Sequence, residues 1–389
     1  MDEKLKSNIW KFFLIKLCNR RNYIPILSIY FLTLPDSTAQ QIGLYVGIGW
    51  LVGFLAEIPS GYVADLFGHK KTIILGKIFM LTSSLLFVLG NSLIYFILGS
   101  SFIALGFAFS SGTYSAFLHN TLIGLKREKE YGVLHGKIDA NVSLASAVMI
   151  LSLPFLTEIS IVMPIMAYLM LDVLGLLLSF TLFTPVIKYC VEDKKGENIL
   201  SQLKKFKGTG FYLTSIFFGL LGGLLFGLTP YKEPFVQSLG MPVIFIGSIM
   251  GVSRIIWFLV GHNLKLLKKI PIKRLMLIEI FVFPGLIIFA SQITNPYFVA
   301  AIFALLMGYY FGRMSLIEEY YIDNFLVNKR FKATMLSIKQ QIRKLFDTII
   351  IFSVGFLMVE SYSLGFFVTG IIILILLIIL YVIVRKVMK

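Results

Sequence analysis

Arg20, Arg21, Asp172, Arg254, Glu279 and Arg313 each sit inside a long apolar stretch, and Glu57 stands near the end of another. An ionisable side chain left unpaired at membrane depth costs at least about 2.5–3.5 kcal/mol, so each of these either has a function or is matched by a partner. The chemistry open to them is limited. An arginine can hold an anion, a carboxylate can take up and release a proton, and two opposite charges can join neighbouring helices. Arg20 and Arg21 fall about halfway along their stretch, in Cys18-Asn19-Arg20-Arg21-Asn22. On a continuous helix they point about 100° apart, which leaves one of them to face an interior cavity. Both are candidates for contact with a solute or a functional carboxylate, against the alternative of a structural ion pair. Arg313 is the next candidate, with pairing to Glu318 or Glu319 as its alternative. Glu57 is the candidate for proton coupling, against a permanent bridge to a basic group. Asp172 and Arg254 are expected to be structural.

Other chemistries lack their residues. Four scattered histidines with Cys18 and Cys190 offer neither a metal-ligand spacing nor a disulfide framework. No Gly-x-x-x-x-Gly-Lys-Ser/Thr cradle for phosphates occurs, and nothing points to a nucleophile with its base. The expectation is a protein that is not an enzyme, holds no metal and no cofactor, and draws energy from a proton gradient.

The elements that position these charges are membrane helices. The 389 residues are 57% hydrophobic and 14% charged, with a mean hydropathy of +0.86, outside the range of soluble domains. Apolar runs long enough to span about 30 Å of hydrocarbon recur throughout. Twelve are expected, near 10–34, 41–66, 72–90, 93–121, 137–157, 162–187, 209–230, 241–264, 273–291, 296–322, 334–359 and 363–384. The net charge of +16 gathers in the loops that the positive-inside rule places in the cytoplasm, so no nucleic-acid partner is expected and both termini are cytoplasmic. The first run carries Lys16, Arg20 and Arg21 without a cleavage site, which predicts a retained helix. Pro25 predicts a kink within it. Lys77 is expected to snorkel to the cytoplasmic face, and Lys232, Glu233 and Pro234 to form an outer loop. Residues 188–208 are the one long polar stretch. They divide the chain into a six-helix bundle over 1–187, a cytoplasmic linker and a second six-helix bundle over 209–389: an all-α integral membrane protein with twelve transmembrane helices.

Between the second and third runs the chain reads EIPSGYVADLFGHKKT, residues 57–72. Gly61 allows a close helix approach, Gly68 can take the positive φ of a tight reversal, and Lys70 and Lys71 hold the hairpin on the cytoplasmic side. Asp65 is a carboxylate able to cap the positive N-terminus of another helix. This hairpin resembles the signature loop of the major facilitator superfamily, Gly-x-x-x-Asp-x-x-Gly-Arg-Lys/Arg, with His69 where arginine is usual. Arg313 followed by a tyrosine-rich helix end and then Lys332-Ala333-Thr334 is similar to the entry of the eleventh helix in many bacterial members.

The resemblance implies alternating access, with the first, fourth, seventh and tenth helices lining a central cavity. It also implies a gating role for Asp65 against the start of the eleventh helix. The fourth run has no arginine before Lys126 and the fifth lacks a Gly-Pro pair, so the motifs of proton-coupled drug exporters are absent. The resulting expectation is a monomeric secondary transporter of the cytoplasmic membrane, a proton-coupled exporter of a small amphipathic or partly anionic organic solute. Metabolite uptake or peptide or lipid export on the same fold are alternatives, and a membrane sensor or intramembrane enzyme is the alternative of another class.

Overall fold

Polar residues in the middle of the first apolar stretch end one helix and begin another. In the computed structural model, which describes residues 2–110, 113–184, 210–325 and 332–387, α1 runs Asp2–Cys18 and α2 runs Ile24–Leu32. Pro25 sits in the first turn of α2, where its missing N–H is no loss. The expected kink is therefore a complete break. Arg20 and Arg21 are not helical, so the angular argument made for them does not apply.

A helix that ends at membrane depth leaves carbonyl oxygens without partners. Lys77 answers one of them. Instead of snorkelling to the membrane surface it is fully buried, and its Nζ donates to the Ile15 carbonyl oxygen at 2.9 Å. Asn19 Nδ2 donates to Ser110 Oγ at 3.3 Å and Ser146 Oγ donates to Asn22 Oδ1 at 2.8 Å, fixing both sides of the break.

The chain continues as α3 (Ala39–Phe67), α4 (His69–Val88), α5 (Leu93–Ser110), α6 (Thr113–Gly124), α7 (Tyr131–Ser152) and α8 (Met163–Phe180). Then follow α9 (Phe211–Ser238), α10 (Ile246–His262), α11 (Ile272–Ser291), α12 (Pro296–Gly312), α13 (Met314–Phe325), α14 (Lys332–Glu360) and α15 (Tyr362–Val387). Ten helical stretches among the described residues are long and apolar enough to cross a membrane. The other two expected crossings are helical as well, but α1 and α2 are interrupted, and α14 carries Lys339, Arg343, Lys344 and Asp347. Large apolar side chains point outward on several helices: Leu144, Phe258 and Phe356 are 70%, 68% and 65% exposed. Such surfaces suit lipid, and the protein is an all-α multi-pass membrane protein.

Two compact units make up the chain, residues 1–37 with 45–192, and residues 38–44 with 193–389. The stretch 188–208, expected to be the linker, lies outside the described residues. In the first unit the Phe96 ring is the hub of the packing, within 4.9–5.5 Å of the rings of Phe31, Tyr45, Tyr30 and Phe87. Asn8 clips the end of α8 by donating to the Phe183 carbonyl oxygen and accepting from its N–H. Lys16 pairs with Asp139 and ties α1 to α7.

In the second unit, small residues let helices touch backbone to side chain. A Cβ on Gly227 of α9 would lie 2.6 Å from Ile350 of α14, and one on Gly308 of α12 would lie 2.6 Å from Ile256 and from the Ser253 carbonyl oxygen on α10. Lys232, Glu233 and Pro234 do not form a loop. Helix α9 runs through them to Ser238, and Lys232 and Glu233 are buried as an ion pair at 2.9 Å. Charge alone suggested solvent there; mutual neutralisation inside packed helices is what the residues achieve.

Asp172→Asn should remove the carboxylate that matches Arg21 and cost about 3–5 kcal/mol, the range for breaking a buried pair. Arg20→Gln, at a partly exposed position, should stay within about 0.5 kcal/mol of wild type. Thermal unfolding of the purified variants in detergent distinguishes them, and equal losses would show that Asp172 is not the matching group.

Candidate functional site

The break between α1 and α2 delivers Arg21 into the interior of the first unit. Its Nη2 donates to Asp172 Oδ1 of α8 at 2.9 Å, with side-chain exposures of 1% and 0%. Ser84 Oγ of α4 donates to the other oxygen, Oδ2, at 2.6 Å. The guanidinium lies 5.9 Å from the Tyr168 ring, a cation–π arrangement. Lys77 approaches through a gap left by Gly175, where a Cβ would be 3.2 Å from Nζ. Two buried cations thus stand around one buried carboxylate. Among the described residues, Arg21 Nε and Nη1 have no acceptor.

A second buried arginine occupies the second unit, again where a helix is interrupted. Arg313 caps α12 before α13 starts at Met314, and its side chain is 2% exposed. Its partner is Glu279 of α11, with Nε 2.6 Å from Oε1, rather than the Glu318 or Glu319 expected from the sequence. Glu319 pairs with Lys268 at 2.6 Å. Tyr309 OH donates to the same Glu279 oxygen at 3.2 Å. The rings of Tyr310, Phe283, Phe218 and Tyr309 stand 4.9–6.0 Å from the guanidinium carbon. Among the described residues Arg313 Nη2 has no acceptor.

Arg313 also walls a narrow cleft of about 30 Å³ between α9, α12, α13 and α14, a space for a single water. Lys339 and Arg343 reach the same cleft from α14 and Glu318 from α13. Each cation rests on an aromatic face: Lys339 Nζ is 4.9 Å from the Tyr321 ring and Arg343 4.4 Å from the Phe226 ring. Among the described residues Arg343 Nη1 donates to Asp347 at 2.6 Å, one contact from a group with five donors. The cleft therefore presents spare guanidinium N–H groups and an ammonium for an anion, and a carboxylate for a donor. Lys339 and Arg343 are members of these sites that the sequence reading did not single out, and Glu279 stands there as a costly charge with no partner assigned; their only sequence signal is charge inside an apolar run.

The remaining residues singled out above lie apart from these clusters. Arg20 is partly exposed and has no ion-pair partner among the described residues. Glu57 is partly buried on α3, which continues beyond it to Phe67. Gly68 is the single residue between α3 and α4, with φ +85°. Thr72 closes that turn, its N–H and Oγ1 both donating to the Gly68 carbonyl oxygen. A Cβ on Gly61 would find no atom of the described residues within 4 Å. His69 and Lys70 are partly buried at the start of α4 and Lys71 is exposed. The side chains of Asp65, Ala333 and Thr334 lie outside the described residues. No group of three or more His, Cys, Asp or Glu among the described residues is placed to hold a metal ion.

These features define a multi-pass helical membrane protein with buried charge at helix interruptions. A model of the Major Facilitator Superfamily matches residues 12–336. The chain belongs to that family. An uncharacterized transporter of Buchnera aphidicola subsp. Schizaphis graminum (strain Sg) is 26% identical over 209 residues, 53% of this chain and 50% of that one, so the match spans half the relative's length. Among solved structures, the nucleoside transporter NupG superposes with a TM-score of 0.81 at 15% identity, covering 99% of both chains. A bacterial homolog of the human lysosomal transporter Spinster, inward-facing and unoccupied, gives 0.68 at 16% identity over 99% of this chain and 96% of that one. The POT family transporter PepTSo gives 0.71 at 12% identity over 98% of each. At these identities the likeness is one of fold.

Tyr309→Phe should cost about 1.5 kcal/mol, the lower end for a hydrogen bond to a charged group. The loss should fall to about half in a Glu279→Gln background, where the amide oxygen still accepts but carries no charge. A double-mutant cycle on thermal unfolding measures this, and additive effects would disprove the coupling.

Proposed function

We propose that this chain is a secondary active transporter, a carrier that moves a small polar solute bearing an anionic group by alternating access, with twelve transmembrane helices in two six-helix halves. Membership of the superfamily supports the mode of transport. The single observation that supports the solute class is the surplus of buried guanidinium N–H groups, on Arg21 in one unit and on Arg313 in the other. A buried donor without an acceptor is costly, and an anion supplied by the solute would remove that cost in the transition between states. Arg313, Lys339 and Arg343 are assigned to solute contact, and Arg21 to a site held by Asp172 until the solute enters. Glu318 would accept a donor on the same solute.

Uptake of a metabolite is the favoured direction. The motifs of proton-coupled drug exporters are absent, the described cleft is lined with charge, and the fold is shared along nearly the whole chain with a transporter of nucleosides and a POT family transporter. Protons are the proposed coupling ion, with Glu57 as the titrating carboxylate and the Gly61 to Lys71 hairpin as the inner gate.

The test is accumulation in proteoliposomes of radiolabelled nucleosides, dipeptides and small carboxylates under an imposed proton gradient. Gradient-driven accumulation of a solute with an anionic group, reduced about tenfold or more by Arg343→Gln, is expected, since a charge-assisted hydrogen bond is worth at least about 1.5 kcal/mol. Transport only of neutral or cationic solutes would overturn the assignment. Asp65→Asn should slow turnover while leaving the amount of folded protein unchanged; unaltered turnover would remove the hairpin from the gate. Glu57→Gln should abolish uphill accumulation but keep exchange at equal concentrations, and continued uphill transport would exclude Glu57 as the proton site.

A further inference from the structure

A second cavity lies on the other side of the Arg313 pair. It is a crevice of about 320 Å³ between α11 and α12, at the small end of the roughly 300–1,000 Å³ of ligand pockets. Its mouth is formed by Ile278, Val282 and Leu305, which are 42%, 40% and 47% exposed on the apolar outer face of the second unit. Its floor holds Leu275 and Leu306, both 2% exposed, with Glu279 and Tyr309 at the inner end. Glu279 is seven residues into α11, about 10 Å along the axis at 1.5 Å per residue, and so inside the membrane-crossing stretch 272–291. The crevice opens to lipid, yet it ends on a carboxylate.

One oxygen of that carboxylate is accounted for and the other is not. Oε1 takes the Arg313 ion pair and the Tyr309 hydroxyl. Oε2 is buried and no described residue donates to it. An acyl chain alone would fill the apolar walls and leave Oε2 unsatisfied. A cationic head group would meet a carboxylate already neutralised by Arg313, and would bring a second positive charge to membrane depth. An anionic head group would be repelled by Glu279. A neutral hydroxyl is free of these penalties and supplies the missing donor.

We propose that the crevice between α11 and α12 is a lateral binding site for a neutral single-chain amphiphile whose hydroxyl head group donates to Glu279 Oε2 while its chain lies between Leu275, Ile278, Val282 and Leu305. The site is separate from the charged cleft: the two share no lining residue, and Arg313, which lines the cleft, meets Glu279, which lines the crevice, through Nε. It does not depend on the transported solute, because occupancy is read as binding and not as transport.

The experiment is photolabelling of the full-length purified protein in lipid nanodiscs with a diazirine-bearing dodecanol, followed by peptide mapping. Labelling of α11 and α12 is expected, with unmodified dodecanol competing about tenfold better than dodecane, the equivalent of one hydrogen bond to a charged acceptor. Equal competition by dodecane would reduce the crevice to ordinary lipid contact and overturn the proposal. Stronger competition by dodecylammonium than by dodecanol would overturn it in favour of a cation site. Leu305→Trp, at an outward-facing position where an indole would fill the mouth, should remove the labelling, and Val282→Trp should do the same. Undiminished labelling in both folded variants would place the probe elsewhere. The comparison of dodecanol with dodecane on the wild-type protein decides the matter without any variant.

Discussion

A guanidinium cannot shed its charge, so when it is carried to membrane depth the surrounding structure must supply an acceptor. Both units of this protein are arranged around that constraint. In the first, Arg21 draws Asp172 from α8 and, through the carboxylate's other oxygen, Ser84 from α4. In the second, Arg313 draws Glu279 from α11 and gathers aromatic rings from α9, α11 and α12. Each carboxylate satisfies only part of its arginine. The remainder is what makes these sites candidates for function rather than simple helix glue.

The placement of each arginine at a helix interruption follows from the same physics. A continuous helix satisfies its own backbone and holds a side chain at a fixed angle, whereas a break frees carbonyl oxygens and lets a residue turn inward. At the α1–α2 break the freed Ile15 carbonyl is taken by Lys77, which adds a second buried cation next to Asp172. The interruption that creates the site thus also raises its positive charge. At the α12–α13 junction the result is different: Arg313 lines a polar cleft, while its partner Glu279 lines an apolar crevice.

For the proposed carrier function this architecture has a consequence. Ion pairs that are incomplete when the solute is absent can be completed by it, so binding an anion can change which helices are held together. Lys339 and Arg343 add to the charge available on α14, and their aromatic platforms hold the long side chains without using up their N–H groups. Among the described residues no cluster of His, Cys, Asp or Glu is placed to hold a metal ion.

The helical, multi-pass class was legible in the residues alone, because apolar runs of spanning length admit only helices or closed barrels in lipid. The hairpin at Gly68 was legible too, since a one-residue reversal between helices requires a positive φ that glycine reaches without strain. The charged positions could be counted as costly, but their partners could not be named. Arg313 was matched on paper with Glu318 or Glu319, its neighbours in sequence, and in the fold it meets Glu279 on another helix. Lys77 and Lys232 were assigned to water and are buried, because a backbone carbonyl in one case and Glu233 in the other replaces the solvent. Sequence determines which residues must be compensated; only tertiary packing decides by what, since compensation depends on a few ångströms between segments far apart in the chain.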